Sequence, residues 1–249
     1  MEYSIQALKV GECKVPGPLV FFNAEYNRLI DLFCYVWLIR GAEKPILVDT
    51  EARNWDYFNE ITSAYIPGGV RSLPGEDLKS QLKKYRVDPQ EVTWIFLTHL
   101  HYDHSTGVHL FPNARVVVSK KGFLETLSSP GGPNSIPRDF LEGLVEGWPQ
   151  RLVLAEDEEE IVPGITTFWI GGHSPCSQAI CVNTSKGTAV FTGDTIYTYR
   201  NLEENIPAGA PYSLVQCVEA MQWIKKKAAI VLPGHDPAIL QRYPNGVIV

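Results

Sequence analysis

Thr98-His99-Leu100-His101-Tyr102-Asp103-His104-Ser105-Thr106-Gly107 constrains this chain more than any other stretch. Three of its six histidines and one aspartate fall within six residues. Directly before them runs Val92-Thr93-Trp94-Ile95-Phe96-Leu97, a β-branched and aromatic segment that reads as a buried strand. Polar ligands therefore appear where a rigid hydrophobic element ends over an open loop. His99 and His101 are two apart, so on extended backbone they point the same way. Asp103 and His104 follow where Ser105, Thr106 and Gly107 suggest a tight turn into a helix. Two ligand pairs can then face two neighbouring divalent cations. Imidazole nitrogen with carboxylate oxygen suits Zn, Mn, Fe or Co better than Ca or Mg.

Composition narrows the setting. The chain has 249 residues, 45% apolar and 20% charged, the balance of an ordinary globular protein with a large core. We read residues 1–249 as a single domain. Its net charge is −6 and its longest basic run is Lys225-Lys226-Lys227, which argues against a nucleic-acid partner. That run reads as a helix C-terminus, where cations favour the dipole. The N-terminal residues lack the pattern of a secretory signal, and no apolar run of about 18 residues could span a membrane. Cys13, Cys34, Cys176, Cys181 and Cys217 are scattered and odd in number, so they read as reduced, packed thiols in a cytoplasmic protein.

Along the chain, Ile5 to Val10 reads as a short strand and Gly11 to Pro18 as a loop. Cys34 to Ile39 and Pro45 to Thr50 read as a hairpin. Asp49 ends the second strand, either as an acceptor that orients a ligand histidine or as a cap of the next turn. Trp55 to Tyr65 and Glu76 to Tyr85 have helical faces. His109 falls in a short helix and reads as structural. Arg115 to Val118 is a strand, with Ser119 capping a helix from Lys120 to Leu127. Residues 128–134 form a loop on composition, a plain surface connection or a flap near the site. Arg138 to Val145 reads as a short helix, and the acidic run Glu156 to Glu160 as a solvated turn. Strands follow at Ile165 to Ile170, Ala179 to Val182 and Thr188 to Phe191. Ser213-Leu214-Val215-Gln216 has the form of a capping box opening a helix towards Lys226, and Ala228 to Leu232 is a last buried strand.

Strand-to-loop junctions at Asp49, His99, His173, Asp194 and His235 each deliver a histidine or an aspartate. Two strand-rich halves of this kind predict two mixed sheets packed face to face with helices outside, an α/β fold of αββα sandwich type.

These motifs carry a resemblance. H-x-H-x-D-H at His99 to His104, G-G-H-S at Gly171 to Ser174, T-G-D at Thr192 to Asp194 and G-H at Gly234-His235, in that order, resemble the metallo-β-lactamase superfamily of hydrolases. Within it the likeness is nearest to N-acyl homoserine lactonases, through Pro45 to Thr50 and Gly193-Asp194-Thr195-Ile196-Tyr197-Thr198, followed by Asn201 to Pro207 and Gly209. The tyrosine three residues after the aspartate marks that group. The chain departs from it at Glu51, where Gly is usual, at Gly171, where Pro usually precedes Gly-His, and at Cys176-Ser177, where Gly-His is common. The resemblance implies an αββα sandwich with two divalent metal ions, Zn before Mn, Fe or Co. His99, His101 and His173 would hold one ion, Asp103, His104 and His235 the other, and Asp194 would bridge. Asp194 also stands where a thiolate-ligated β-lactamase has Cys. Cys176 reads as a packed thiol.

The expected chemistry is hydrolysis of a small-molecule ester or lactone. Two cations sharing a water lower its pKa from about 15.7 towards 7 and give hydroxide at neutral pH. Tyr197 would donate to the developing oxyanion, and Asp103 or Asp194 would carry the proton to the leaving alkoxide. Phe21, Phe22 and Tyr102 are candidates to receive an acyl chain. A thioesterase of glyoxalase II type ranks lower, because only 14 residues follow His235. An RNA-processing type of phosphodiesterase would need basic contacts, and a non-catalytic metal scaffold would not need the nearby tyrosine. The oligomeric state, a homodimer included, is left open.

Overall fold

The computed structural model describes residues 2–128, 136, 138–144 and 150–249. Its first sheet has six strands, β1 (Ser4–Pro16), β2 (Leu29–Arg40), β3 (Ile46–Val48), β4 (Trp94–Phe96), β5 (Arg115–Ser119) and β6 (Leu152–Ala155), side by side in chain order. The second has five, β7 (Glu158–Val162), β8 (Ile165–Trp169), β9 (Gln178–Thr184), β10 (Gly187–Phe191) and β11 (Ile230–Leu232), also neighbours in chain order. Both sheets are mixed. β1, β2 and β3 are antiparallel whereas β3 to β6 are parallel, and β11 lies parallel to β10 beside an antiparallel meander.

The layering follows from side-chain alternation. Successive residues of a strand face opposite sides of the sheet. On β2, Val36 and Leu38 join a cluster under the helices Trp55–Thr62 and Leu78–Lys84, while Tyr35, Trp37 and Ile39 face the other sheet. β5 divides in the same way, Val116 and Val118 against Val117. On the second sheet, Ile180 and Val182 face inwards, and Ala179 and Cys181 pack with Ala220, Met221 and Ile224 of the helix Leu214–Lys227. Because both faces are covered, these strands read as continuous apolar runs. The expected αββα sandwich is the observed one, and among the described residues no helix is long and apolar enough to cross a membrane.

Four local expectations change. The segment from Gly11 to Pro16 is strand, because the long β2 pairs along it after a bulge between Lys9 and Gly11, and only Gly17–Val20 beyond is helical. Proline is tolerated at Pro16 because β1 is an edge strand. The acidic run is mostly strand β7, whose glutamates line the outer edge of the second sheet and blunt it against further pairing. β6, between them, had no counterpart in the sequence reading. Ser213 caps the helix Leu214–Lys227 through Gln216 N–H, but the Gln216 side chain turns elsewhere, so the box is only half formed. The helix expected from Arg138 runs to Glu142, and residue 145 together with 129–134 of the expected loop lies outside the described residues.

Glu51 ties β3 to the helical layer. Its Oε2 accepts from Leu78 N–H at 3.0 Å, beside Asp77, whose own carboxylate caps that helix. Burial pushes the Glu51 carboxyl from 4.5 up to about 7. A carboxyl raised on folding binds more protons folded than unfolded, so the fold loses stability as pH rises from about 4.5 to 7 and stays lower above. A carboxyl moved from 4.5 to about 7 costs the fold roughly 3 kcal/mol above pH 7. Glu51→Gln keeps the acceptor and removes the ionisation. Its melting temperature should exceed that of the parent at pH 8 by several degrees and converge with it near pH 4.5, as read by thermal denaturation across pH.

Candidate metal centre

Five strand ends meet at one rim of the sandwich. β3 delivers Asp49, β4 leads to His99 and His101, and the turn Tyr102–Ser105 carries Asp103 and His104. The second sheet brings His173 after β8, Asp194 after β10 and His235 after β11. Two small residues permit the closeness. A Cβ on Gly193 would come within 2.6 Å of Thr98 Oγ1, and one on Gly234 within 2.9 Å of Asp194 Oδ1. That is the physical content of the T-G-D and G-H motifs.

The side chains form two groups. His99, His101, His173 and Asp194 have ligand atoms within 4.8 Å of one another, and so do Asp103, His104 and His235. Asp194 faces both. Its Oδ2 lies 3.9 Å from His99 Nε2 and 3.6 Å from His173 Nε2, while Oδ1 lies 3.2 Å from His104 Nε2 and 2.9 Å from His235 Nε2. His101 Nδ1 and His173 Nε2 stand 2.9 Å apart, and His104 Nε2 and His235 Nε2 3.2 Å apart. His104 Nε2 is also 3.5 Å from Asp103 Oδ2.

The opposite ring nitrogens determine where lone pairs point. His235 Nδ1–H donates to the Phe33 carbonyl at 2.8 Å, and His104 Nδ1–H to Asp49 Oδ2 at 3.0 Å. Asp49 also accepts from Thr98 N–H at 2.7 Å and from the Thr98 hydroxyl at 2.8 Å, so that hydroxyl is left to accept from His99 Nδ1–H at 3.1 Å. One carboxylate thus sets the tautomer of two imidazoles, which settles the alternative readings of Asp49 in favour of orientation. In their neutral form His99, His104 and His235 would present bare Nε2 lone pairs inwards. Among the described residues, buried His99 Nε2 and Asp194 Oδ1 have no hydrogen-bond partner. Converging lone pairs with orphaned acceptors require cations between them. The donor set of imidazoles and carboxylates fits divalent transition ions.

Electrostatics agrees. Burial lowers His99, His101 and His173, the last to about 3, so these rings are neutral ligands at physiological pH. Burial would also lower His104 and His235, but the carboxylates of Asp194 and Asp103, joined at His104 by Asp49, together outweigh it and raise both. Burial would raise Asp194, yet His235, His104 and His99 hold it well below the usual carboxylate range.

Tyr197 stacks on His235, rings 5.6 Å apart at 25°, and meets the edge of His173 at 5.7 Å. Burial and the charges of Asp194 and Asp103 hold its hydroxyl well above the ordinary phenol value, so it remains a donor. The site opens into a cavity of about 380 Å³ lined by His101, Asp103, His173, Asp194, Tyr197 and His235 on one side. The opposite wall is apolar, with Leu32 of β2 and Phe58, Ile61 and Ile66 from and after the helix Trp55–Thr62. This corrects the expected acyl-chain residues. Phe21 and Tyr102 are buried within apolar clusters and Phe22 is 40% exposed, and none of the three lines this cavity. Tyr102 turns away because the helical turn that aims His104 at the site points its neighbour into the core. The apolar face of Trp55 to Tyr65 was the sequence signal for the wall. His109 is exposed, with Nδ1 against the Thr106 carbonyl, outside both groups. Cys176 is a buried thiol beside Ser174 Oγ, also outside them.

Residues 29–235 match the family model of the Metallo-beta-lactamase superfamily. N-acyl homoserine lactonase AiiA of Bacillus thuringiensis subsp. kurstaki is 24% identical over 92% of this chain and 91% of its own length. N-acyl homoserine lactonase AttM of Agrobacterium fabrum is 32% identical over 63% of each. Among solved structures, a quorum-quenching N-acyl homoserine lactone lactonase superposes with a TM-score of 0.80 at 22% identity, covering 100% of this chain and 99% of the other. An N-acyl homoserine lactone hydrolase with N-hexanoyl-L-homoserine at its catalytic metal centre gives 0.80 at 23% identity over 97% of each. The chain belongs to the metallo-β-lactamase superfamily.

Asp49 has φ +59°, a left-handed conformation that asparagine tolerates as well as aspartate. Asp49→Asn therefore removes acceptor capacity without straining the backbone. Metal affinity should fall by about 10- to 100-fold, measured by competition with a chromophoric chelator.

Proposed function

From the superfamily membership and the paired histidine groups, we propose a dinuclear, zinc-dependent hydrolase that opens the lactone ring of N-acyl homoserine lactones. The observation that carries this reading is the cavity. It joins the carboxylates and imidazoles to an apolar wall, as a substrate with a polar cyclic ester and an alkyl tail requires. The AiiA and AttM relatives named above support the same substrate class. We assign residues 1–249 to one domain, and the five free thiols suit a cytoplasmic setting.

In this assignment His99, His101 and His173 would hold one zinc ion, and Asp103, His104 and His235 the other, with Asp194 shared between the two groups. When bound, two zinc ions supply Lewis acidity towards the ester carbonyl and acidify water. The residues of the chain do the rest. The apolar wall binds the acyl chain and excludes water from the tail. Tyr197 Oη–H, on the cavity wall, donates to the carbonyl oxygen as negative charge gathers there. Water adds to the carbonyl carbon, the ring C–O bond breaks, and one proton must travel from the water to the departing alkoxide. Asp103 or Asp194, both on the cavity wall, is placed to carry it.

Zinc-loaded protein should release acid from N-acyl homoserine lactones, followed by pH-stat titration. Tyr197→Phe should lower kcat about 100-fold with little change in KM. Silence on lactones of every chain length, with turnover of thioesters, phosphodiesters or β-lactams in the same assay, would reassign the substrate. The panel run separately with Zn, Mn, Fe and Co identifies the working metal.

A further inference from the structure

His173 differs from the other ligands in how it is held. The rings of His99, His104 and His235 each place the second nitrogen against an acceptor. His173 Nδ1 is buried and has no hydrogen-bond partner among the described residues. His101 Nε2 shares that state, but the His101 carbonyl is fixed by His104 N–H and Ser105 N–H, both at 3.1 Å. The orientation of His173 therefore leans on its main chain, besides the edge contact of its ring with Tyr197.

That main chain is gripped by the first turn of the helix Leu214–Lys227. Gly172 N–H donates to Gln216 Oε1 at 3.1 Å, and the Gly172 carbonyl accepts from Ser213 N–H at 2.9 Å. The His173 carbonyl accepts from Tyr212 N–H at 3.3 Å. The fit leaves no spare room. A Cβ on Gly171, which has φ +55°, would come within 2.5 Å of Gln216 Oε1, and one on Gly172 within 2.9 Å of Cys217 N. Proline, restricted to φ near −65°, could not occupy position 171 in this conformation. Gln216 and a side chain at 171 exclude each other. Behind the contact, the helix is anchored by Ala220, Met221 and Ile224 on the second sheet.

We infer that Gln216 is a positioning residue for the zinc held by His99, His101 and His173, acting through the Gly172 peptide on His173. This rests on the metal assignment above. Gln216 touches neither substrate nor cation. Its side-chain amide replaces the acceptor that the His173 ring lacks, and so transmits the rigidity of a packed helix to a loop ligand.

The test uses the zinc-loaded full chain, challenged with EDTA and followed by elemental analysis of retained zinc. Wild type should begin with two zinc ions per chain, and absence of uptake would overturn the metal assignment itself. Gln216→Leu removes the acceptor at similar size and should release one of the two ions at least about tenfold faster, leaving the other at the wild-type rate. Gln216→Glu supplies a carboxylate acceptor and should restore slow release of both. Ser213→Ala removes the helix cap but keeps the backbone bonds to Gly172. It should lower the melting temperature by a few degrees without selective loss of an ion. Equal release of both ions from Gln216→Leu, failure of Gln216→Glu to rescue, or selective loss from Ser213→Ala would each overturn the inference.

Discussion

The site depends on one buried carboxylate facing imidazoles on two sides. Asp194 Oδ1 and Oδ2 look towards different histidine groups, and with both Nδ1–H groups committed elsewhere the Nε2 lone pairs of His104 and His235 cannot be neighbours without positive charge between them. Left alone, the cluster recruits protons, which is why His104 and His235 are raised against the pull of burial. Divalent cations satisfy the same demand with more charge and a defined geometry. The rest of the fold can be understood as the scaffold that makes such an unfavourable gathering of polar groups tolerable.

That scaffold works through strand ends. Parallel strands β3 and β4 set Asp49 and Thr98 side by side, so that one carboxylate can reach a backbone amide, a hydroxyl and an imidazole at once. The second sheet contributes its ligands from the same rim. Each is preceded by glycine or lies one residue beyond a glycine pair, which lets loops approach more closely than a Cβ would allow. Apolar burial holds the strands, the strands hold the loops, and the loops bring the donor atoms within reach.

Much of this was legible in the sequence, for a specific reason. Ligands at strand ends leave a local signature, an apolar run that stops at a histidine or aspartate, and His99, His173, Asp194 and His235 all carry it. The apolar run Cys34 to Ile39 likewise reads as a strand, and the structure buries both its faces. What could not be read depends on contacts between distant segments. Whether Asp49 orients or caps is decided by Thr98 and His104, about fifty residues away. The acyl-chain wall was sought in Phe21, Phe22 and Tyr102 because aromatic residues near the motif invite it, but the direction of a helical turn sends Tyr102 to the core. The acidic run was read as a turn because glutamates seldom favour strands, and the partner strand β8 that overrides this preference lies beyond the window of local reasoning. Gly171 stands out as a departure, whereas Gln216 reads only as the last residue of a capping box, with no sign of its contact to Gly172.

The two halves of the chain each supply an incomplete set of donors. His99 and His101 wait for His173, and Asp103 and His104 for His235, so neither sheet can form a full coordination shell before the other has docked on it. Metal capture would therefore await the non-local docking of one sheet on the other. Ions held there would act as rivets across the sheet–sheet seam, and a partly assembled molecule would be set apart from a mature one by its empty centre.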